Sequence, residues 1–257
     1  MILTVDIGNT NIVLGGYTAG ALSFCTRIAT DAGLETDQYA LQINGILTLY
    51  ALRTSEIEGA IISSAVPPLT ETIAHAIERI CDKKPILFGQ NLPTGVTVDI
   101  DRPAELGADL LAGAVGAKAN YPLPAIVIDM GTATKITAIN AHGAGIGVSI
   151  MPGVFLSLRA LVQSASQLGG IAMQAPACAI GRNTVASMQS GVVFGAASML
   201  DGMLDRFCAE MGAVTTIVAT GGAASAVIPH CKRTMIHNPT LILDGLYTVY
   251  TSMQTQA

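Results

Sequence analysis

Two segments of the chain each bring an aspartate to the end of an apolar run and follow it with a glycine: LTVDIGNTNI at 3–12 and IVIDMGTATK at 126–135. Asp6 aligns with Asp129, Gly8 with Gly131 and Asn9 with Thr132. The apolar run reads as a strand that delivers its carboxylate to the edge of a sheet. The glycine then permits a tight turn and lets another group approach the backbone closely. Short polar residues follow, Asn9, Thr10 and Asn11 in the first copy and Thr132 and Thr134 in the second. Backbone N–H groups in such a turn can ring phosphate oxygens. The Asp6 carboxylate suits Mg²⁺, which takes oxygen ligands and keeps several waters. One copy alone would serve equally as an ordinary Asn/Gly hairpin turn, but two copies at matching places favour the phosphate reading. A strand running into two glycines, VATGG at 218–222, adds a flat ledge for a purine or ribose. Together these three segments outline a nucleotide cleft. The chain has neither GxxxxGK followed by Ser or Thr nor a strand-linked GxGxxG, so P-loop and Rossmann sites are poor alternatives. The glycine-rich stretch at 143–147 follows a hairpin strand and reads as a turn into the next strand.

The elements that must hold these segments follow from periodicity. Each copy continues into a second strand-like run, 12–17 and 136–140, and each run ends in a glycine turn, so each half opens with a β-hairpin. Apolar residues Tyr39, Leu41, Ile43, Ile46 and Leu47 repeat with helical spacing over 37–52. Further along come a buried strand at 59–64, a helix around 68–81 and a short strand at 85–88. The second half reads as helices at 152–164 and 184–211 and a strand at 216–220. Strands alternating with helices imply an α/β fold with layered packing. Two such halves predict two related lobes, 1–118 and 119–257, with a cleft between them. The junction falls near 115–124, where Pro122 and Pro124 suit a boundary. In the long second-half helix, Gly191 and Gly195 lie four apart on one face and predict a close backbone contact, within the subunit or, as the low charge favours, with a second copy of the chain.

Composition bounds the function. The 257 residues are 51% hydrophobic and only 12% charged, with a net charge of −5 and no Trp. Such a chain fills a sizeable core and has apolar surface to spare for an oligomer. Without a basic stripe it is not expected to bind nucleic acid. No apolar run reaches the about 18 residues of a membrane span. Asp6 interrupts the apolar N-terminus and no basic segment precedes it, so no signal peptide is expected. The cysteines, Cys25, Cys81, Cys178, Cys208 and Cys231, are odd in number and show no metal-ligand spacing. They are expected to be buried free thiols in a reducing cytosol. His75, His142, His230 and His237 form no ligand pattern.

The same segments resemble the actin-like ATPase kinases, and more narrowly the type III pantothenate kinase family. The resemblance runs through DIGNTN at 6–11, PAELGAD at 103–109, DMGTAT at 129–134, IMPGV at 150–154, IGRNTVASMQSG at 180–191, DG at 201–202 and VATGG at 218–222. It implies two ribonuclease-H-like lobes, each a mixed sheet flanked by helices. It also implies ATP-dependent phosphorylation of pantothenate to 4′-phosphopantothenate, the opening step of coenzyme A biosynthesis. The enzyme would be a cytoplasmic homodimer needing Mg²⁺ and a monovalent cation, K⁺ or NH₄⁺. Position by position, Asp109 would be the catalytic base. Asp6, Ile7, Gly8, Asn9, Thr10, Asn11, Ile12 and Val13 would form the first phosphate loop, with Asp6 toward Mg²⁺ and Thr132 contributing from the second. Gly107, Ala108, Asp109 and Thr184 would meet pantothenate, and Asp129 would hold the monovalent cation.

The chain departs from that pattern at three positions. Leu110 stands where the family commonly has Arg, Ile100 where it often has Tyr, and Lys135 where it commonly has Thr. Leucine cannot bind substrate oxygens bidentately as a guanidinium does. Arg102 or Arg182 is the candidate to compensate. The Lys135 ammonium could reach the Asp129 site and partly replace the cation, though a solvent-exposed lysine at a strand start is the simpler expectation. Leu110 and Ile100 leave open a kinase for another small alcohol, and the resemblance also leaves open a nucleotide-binding regulator without turnover, which the retained Asp109 argues against. As structural alternatives, Asp109 could be the N-cap of the run that follows it, and Thr184 the cap of the long helix.

Overall fold

The computed structural model describes residues 1–164 and 169–256. In chain order the first elements are β1 (Ile2–Ile7), β2 (Asn11–Thr18), β3 (Ala21–Ala29), α1 (Thr36–Leu49), β4 (Gly59–Ser64), α2 (Pro67–Cys81), β5 (Ile86–Leu87) and α3 (Ala108–Asn120). Then follow β6 (Ala125–Met130), β7 (Ala133–Ile139), β8 (Gly145–Pro152), α4 (Val154–Ser164), α5 (Thr184–Gln189) and α6 (Gly195–Met211). The chain closes with β9 (Thr216–Thr220), α7 (Ala224–Val227), β10 (Ile236–His237) and α8 (Leu241–Gln256). The residues separate into two units: 1–96 with 101–119 and 240–257, and 97–100 with 120–239.

Among the described residues each unit holds one five-stranded sheet, and the two sheets repeat one topology. The orders are β3-β2-β1-β4-β5 and β10-β9-β6-β7-β8. In the first, β1 runs antiparallel to β2 and parallel to β4. In the second, β6 runs antiparallel to β7 and parallel to β9. Both sheets are therefore mixed and flanked by helices, as the family resemblance implies. A third antiparallel strand completes each hairpin. β8 fits the turn expected at 143–147, whereas β3 was not legible: it is an edge strand with most side chains exposed, so its apolar pattern is weak.

The central strands are buried on both faces, with Leu3, Thr4 and Val5 of β1 and Ile126, Val127 and Ile128 of β6 enclosed. Over the first sheet lie α1 and α2. Tyr39, Ile43 and Leu47 from α1 and Leu69, Ile73 and Ile77 from α2, at spacings of four, join one core with β1. A capping box between Glu35 and Gln38 starts α1. Two prolines open α2, and Asp82 in the left-handed region ends it.

Several boundaries differ from the sequence expectation. The helix expected from 152 begins at Val154, because β8 claims the chain through Pro152. The helix expected over 184–211 is one helical run, but it contains a π-helical turn at Ser190–Phe194 between α5 and α6. The expected junction at 115–124 starts inside α3, which continues to Asn120.

The largest difference concerns the C-terminus. Residues 240–257, expected in the second lobe, belong to the first unit. Two glycines explain how α8 docks there. A Cβ on Gly245 would lie 1.9 Å from the Ala112 carbonyl oxygen, and one on Gly116 would lie 2.2 Å from that of Leu241. Only paired glycines let α3 and α8 come so close. Tyr17 of β2 stacks on Tyr247 at 4.4 Å and donates a hydrogen bond to Asp244. Burial first, and then Asp244, hold the Tyr17 phenol well above the ordinary tyrosine range.

Candidate active site

In the first unit, β1 ends one residue beyond Asp6, which stands in register with Val13 on β2 and Ser63 on β4. The turn between β1 and β2 closes through a hydrogen bond from Gly8 N to Asn11 O at 3.0 Å. Thr30, just past β3, pins it twice. Its Oγ1 donates to Gly8 O at 2.6 Å, and its N–H donates to Thr10 O at 3.0 Å. A Cβ on Gly8 would meet Asn11 O at 3.0 Å, so the turn is tight. Asn9, Thr10 and Asn11 are exposed, while Ile7 and Ile12 are buried and Val13 half-buried. The isoleucines therefore anchor the turn, and the three polar residues present it. Beside Asp6, Ser63 is fully buried, and its Oγ has no hydrogen-bond partner among the described residues. A carboxylate and an orphaned buried hydroxyl make an oxygen donor pair, which fits a Mg²⁺-bound phosphate.

Elsewhere in that unit, a single turn at Pro103–Glu105 leads into α3. Leu111 N–H bonds the Gly107 carbonyl at 3.1 Å, so Gly107 occupies the cap position and Asp109 lies inside the first helical turn. Asp109 is thus not the N-cap. It is half-buried, and its Oδ1 accepts from Leu110 N–H at 2.9 Å. The helix N-terminus favours its negative charge. A Cβ on Gly107 would lie 2.7 Å from Asp109 Oδ1, so a larger residue there would push that carboxylate aside. Ala108 also lines a cavity of about 280 Å³ with Gly89, Gln90 and Leu111.

In the second unit, the β6–β7 turn sits in a clamp of backbone. Gly131 N–H bonds Ala133 O at 3.1 Å, and Gly153 N–H bonds Thr132 O at 3.1 Å. A Cβ on Gly153 would lie 2.2 Å from Thr132 O and 2.5 Å from Gly131 O. Opposite, the VATGG segment presses its own backbone on the turn. Gly221, at φ +90°, would place a Cβ 2.6 Å from the Met130 carbonyl carbon, and Ala223 N–H bonds Met130 O at 3.2 Å. Thr132 is exposed at the tip, while Thr134 is buried with no hydrogen-bond partner for its Oγ1 among the described residues. Asp129 faces Lys135 in register, and Lys135 Nζ approaches Asp129 Oδ2 to 2.9 Å.

Thr184 belongs to another element of the same unit. It opens α5 and lines an apolar cavity of about 950 Å³ with Ser157, Arg182, Asn183, Ser187 and Met188. Asn183, rather than Thr184, caps that helix, accepting from Ala186 N–H at 2.9 Å. Thr184 is exposed and its hydroxyl is available to the cavity rather than committed to capping.

Comparison with known proteins decides the family. The family model described as type III pantothenate kinase matches residues 2–206. The chain belongs to the type III pantothenate kinase family. A type III pantothenate kinase from Exiguobacterium sibiricum is 40% identical over 250 residues, covering 97% of this chain and 98% of the relative. Solved structures carry the fold at lower identity. A protein described as a Baf family transcriptional activator, from Campylobacter jejuni, superposes with a TM-score of 0.63 at 17% identity, over 98% of this chain and 99% of that one. One described as a 2-dehydro-3-deoxygalactonokinase, from Sinorhizobium meliloti, gives 0.57 at 13% identity, over 98% and 97%. The chain is therefore a kinase with the actin-like fold, built as an α/β protein on two mixed sheets.

Within this type III pantothenate kinase the departures have structural settings. Leu110 is 8% exposed and packs inward, so its position offers substrate no polar group. Ile100 is half-buried. Arg102 is exposed and pairs with Glu105 at 2.9 Å, whereas Arg182 lines the large cavity. Sequence reasoning missed Thr30, Ser63 and Gly153 as parts of the turns. Gly153 lies in the IMPGV segment, so a signal for it was present. Thr30 and Ser63 sit in segments without a motif and become visible only through strand register. The cysteines are free, but Cys25 and Cys178 are exposed rather than buried. Among the described residues no three His, Cys, Asp or Glu side chains gather to hold a metal.

Proposed function

We propose that the chain transfers the γ-phosphoryl group of ATP to the primary hydroxyl of pantothenate, giving 4′-phosphopantothenate, with Asp109 accepting the hydroxyl proton. Membership of the type III pantothenate kinase family carries the donor and the acceptor. The doubled Asp-x-Gly turn, with one copy pinned by Thr30 and the other clamped by Gly153, supports the residue assignments. Asn9, Thr10, Asn11 and the turn N–H groups would hold phosphate oxygens, and Thr132 would contribute from the second turn. Phosphoryl transfer passes through a loose transition state, so positioning and charge neutralisation do most of the work. Mg²⁺ arriving with ATP supplies part of that neutralisation, and Asp6 with Ser63 would hold it. Asp109, on the rigid first turn of α3, needs only hydrogen-bond reach to the hydroxyl it deprotonates. Gly107 and Ala108 would line the approach of pantothenate, and Thr184 would meet it from the second unit or from a partner copy. The K⁺ or NH₄⁺ implied at Asp129 meets a carboxylate that Lys135 already holds at 2.9 Å, so no step is routed through it. A cytoplasmic setting, where ATP is available, goes with this reading.

Incubation with ATP and pantothenate is expected to yield equal amounts of ADP and 4′-phosphopantothenate, followed by coupled ADP release and mass spectrometry. Turnover only with another small alcohol would replace the acceptor. ATP binding without turnover of any alcohol would make the chain a regulator.

The homodimer is proposed on the second unit's surface. Phe155, Leu156, Ile180 and Val185 are exposed apolar residues, Ile180 at 83%. Gly191 and Gly195 have open space where a Cβ would be, so they make no close contact among the described residues. Light scattering on the eluted protein is expected to give twice the chain mass, and a monomer at assay concentration would remove the dimer.

A further inference from the structure

We infer that Lys135 supplies from within the chain the single positive charge that a monovalent cation at Asp129 would bring, so that turnover needs neither K⁺ nor NH₄⁺. This rests on the proposed kinase reading. Strand register puts the two residues directly opposite each other on antiparallel β6 and β7. Opposed residues of such a pair share one face of the sheet, with Cβ atoms about 4.5–5.5 Å apart. A lysine stem can therefore fold across and bring its ammonium to the carboxylate. The contact, Nζ to Oδ2 at 2.9 Å, is both an ion pair and a charge-assisted hydrogen bond.

Exposure separates this pair from ordinary surface pairs. The Lys135 side chain is 16% exposed and that of Asp129 14%. The chain's Arg53–Glu56 pair, by contrast, is 80% and 40% exposed. Water and salt loosen pairs of the second kind but act weakly on an enclosed one. Lys135 is thus not the solvent-exposed lysine that a strand start would suggest.

Charge bookkeeping gives the consequence. A monovalent ion and an ammonium each bring one positive charge and each seek carboxylate oxygens. Two like charges beside one partly desolvated carboxylate repel, so the ion and the ammonium are alternatives there, not companions. The ammonium is tethered, so its local concentration does not depend on the salt around the protein. Its place is close to the turn's working parts: Thr132 is three residues back, at the tip clamped by Gly153, and Thr134 precedes it directly. An implied K⁺ site at Asp129 therefore does not fit this chain.

The test compares the native chain with Lys135→Thr and Lys135→Gln, at matched ionic strength in tetramethylammonium or potassium salts. Turnover of ATP with pantothenate is one readout. The other, independent of turnover, is ²⁰⁵Tl line broadening with a non-hydrolysable ATP analogue, competed by K⁺. The native chain should show equal rates in both salts and no competed thallium signal. Lys135→Thr should lose about tenfold or more without K⁺, comparable to removing a group that supports a bound ion, and should regain rate when K⁺ is added. It should also acquire competed thallium binding. The assignment is overturned if the native chain loses turnover without K⁺, or binds thallium as the variant does. It is equally overturned if both variants, folded by circular dichroism, are impaired to the same degree in every salt, because the lysine is then only a structural pin. Absence of turnover in all salts would sink the kinase reading instead, and the thallium result would still decide the role of Lys135.

Discussion

Asp109→Asn is expected to lower turnover of ATP with pantothenate by about 10²–10⁴-fold, the usual contribution of a positioned general base. Asparagine keeps an oxygen that can accept from Leu110 N–H, now at 2.9 Å, so the start of α3 should hold its shape. Losing the negative charge at a helix N-terminus should cost only about 0.3–1 kcal/mol of stability. The change therefore separates chemistry from folding. Coupled ADP release should fall steeply, while the urea midpoint and the affinity for an ATP analogue stay close to native. A folded variant that retains most of its activity would remove Asp109 from the role of base. The structure has already narrowed that alternative, since Gly107 holds the cap position and Asp109, inside the first turn, accepts the Leu110 N–H that asparagine could also accept.

Much of this architecture was legible because it repeats. Asp6 and Asp129 announce two strands of the same kind, and the two sheets turn out to share one strand order. Apolar spacing located α1 and α2, since their buried residues recur every three or four positions along faces that pack on a sheet. What escaped had weak local signals. The sequence of α8, LILDGLYTVYTSMQTQ, mixes β-branched and hydroxyl residues around a glycine, so propensity argues little for a helix there. Its place in the first unit depends on Gly116 meeting it across more than a hundred residues of sequence, which no periodicity encodes. The site divided in the same way. Motif residues such as Asp6, Gly8 and Asp129 were found by type and spacing. Thr30 and Ser63 were not, because their roles come from the strands beside them. Lys135 lay between: its proximity to Asp129 was imaginable from a β-hairpin, but its withdrawal from water depended on packing.

Gly153 is the residue where a change without any functional side chain should have the next largest effect. Gly153→Ala would put a Cβ 2.2 Å from Thr132 O and 2.5 Å from Gly131 O. Both atoms are backbone, so no flexible side chain can swing aside, and the β6–β7 turn must move. The hydrogen bond from Gly153 N–H to Thr132 O, now at 3.1 Å, would be strained at the same time. Misplacing a positioned group by about 1 Å can cost about 10²-fold in rate, so kcat/KM is expected to fall by that order. Overpacking should also cost about 1–3 kcal/mol, so rates must be compared well below the variant's melting temperature. Gly147→Ala on the adjoining strand, β8, is the control, because a Cβ there meets nothing within 4 Å among the described residues. If the second turn handles phosphate, Gly153→Ala should raise the KM for ATP and lower kcat, while Gly147→Ala leaves both near native. Equal, small effects from the two alanines would mean that the turn's position is immaterial to the reaction, and Thr132 would lose its assignment with it.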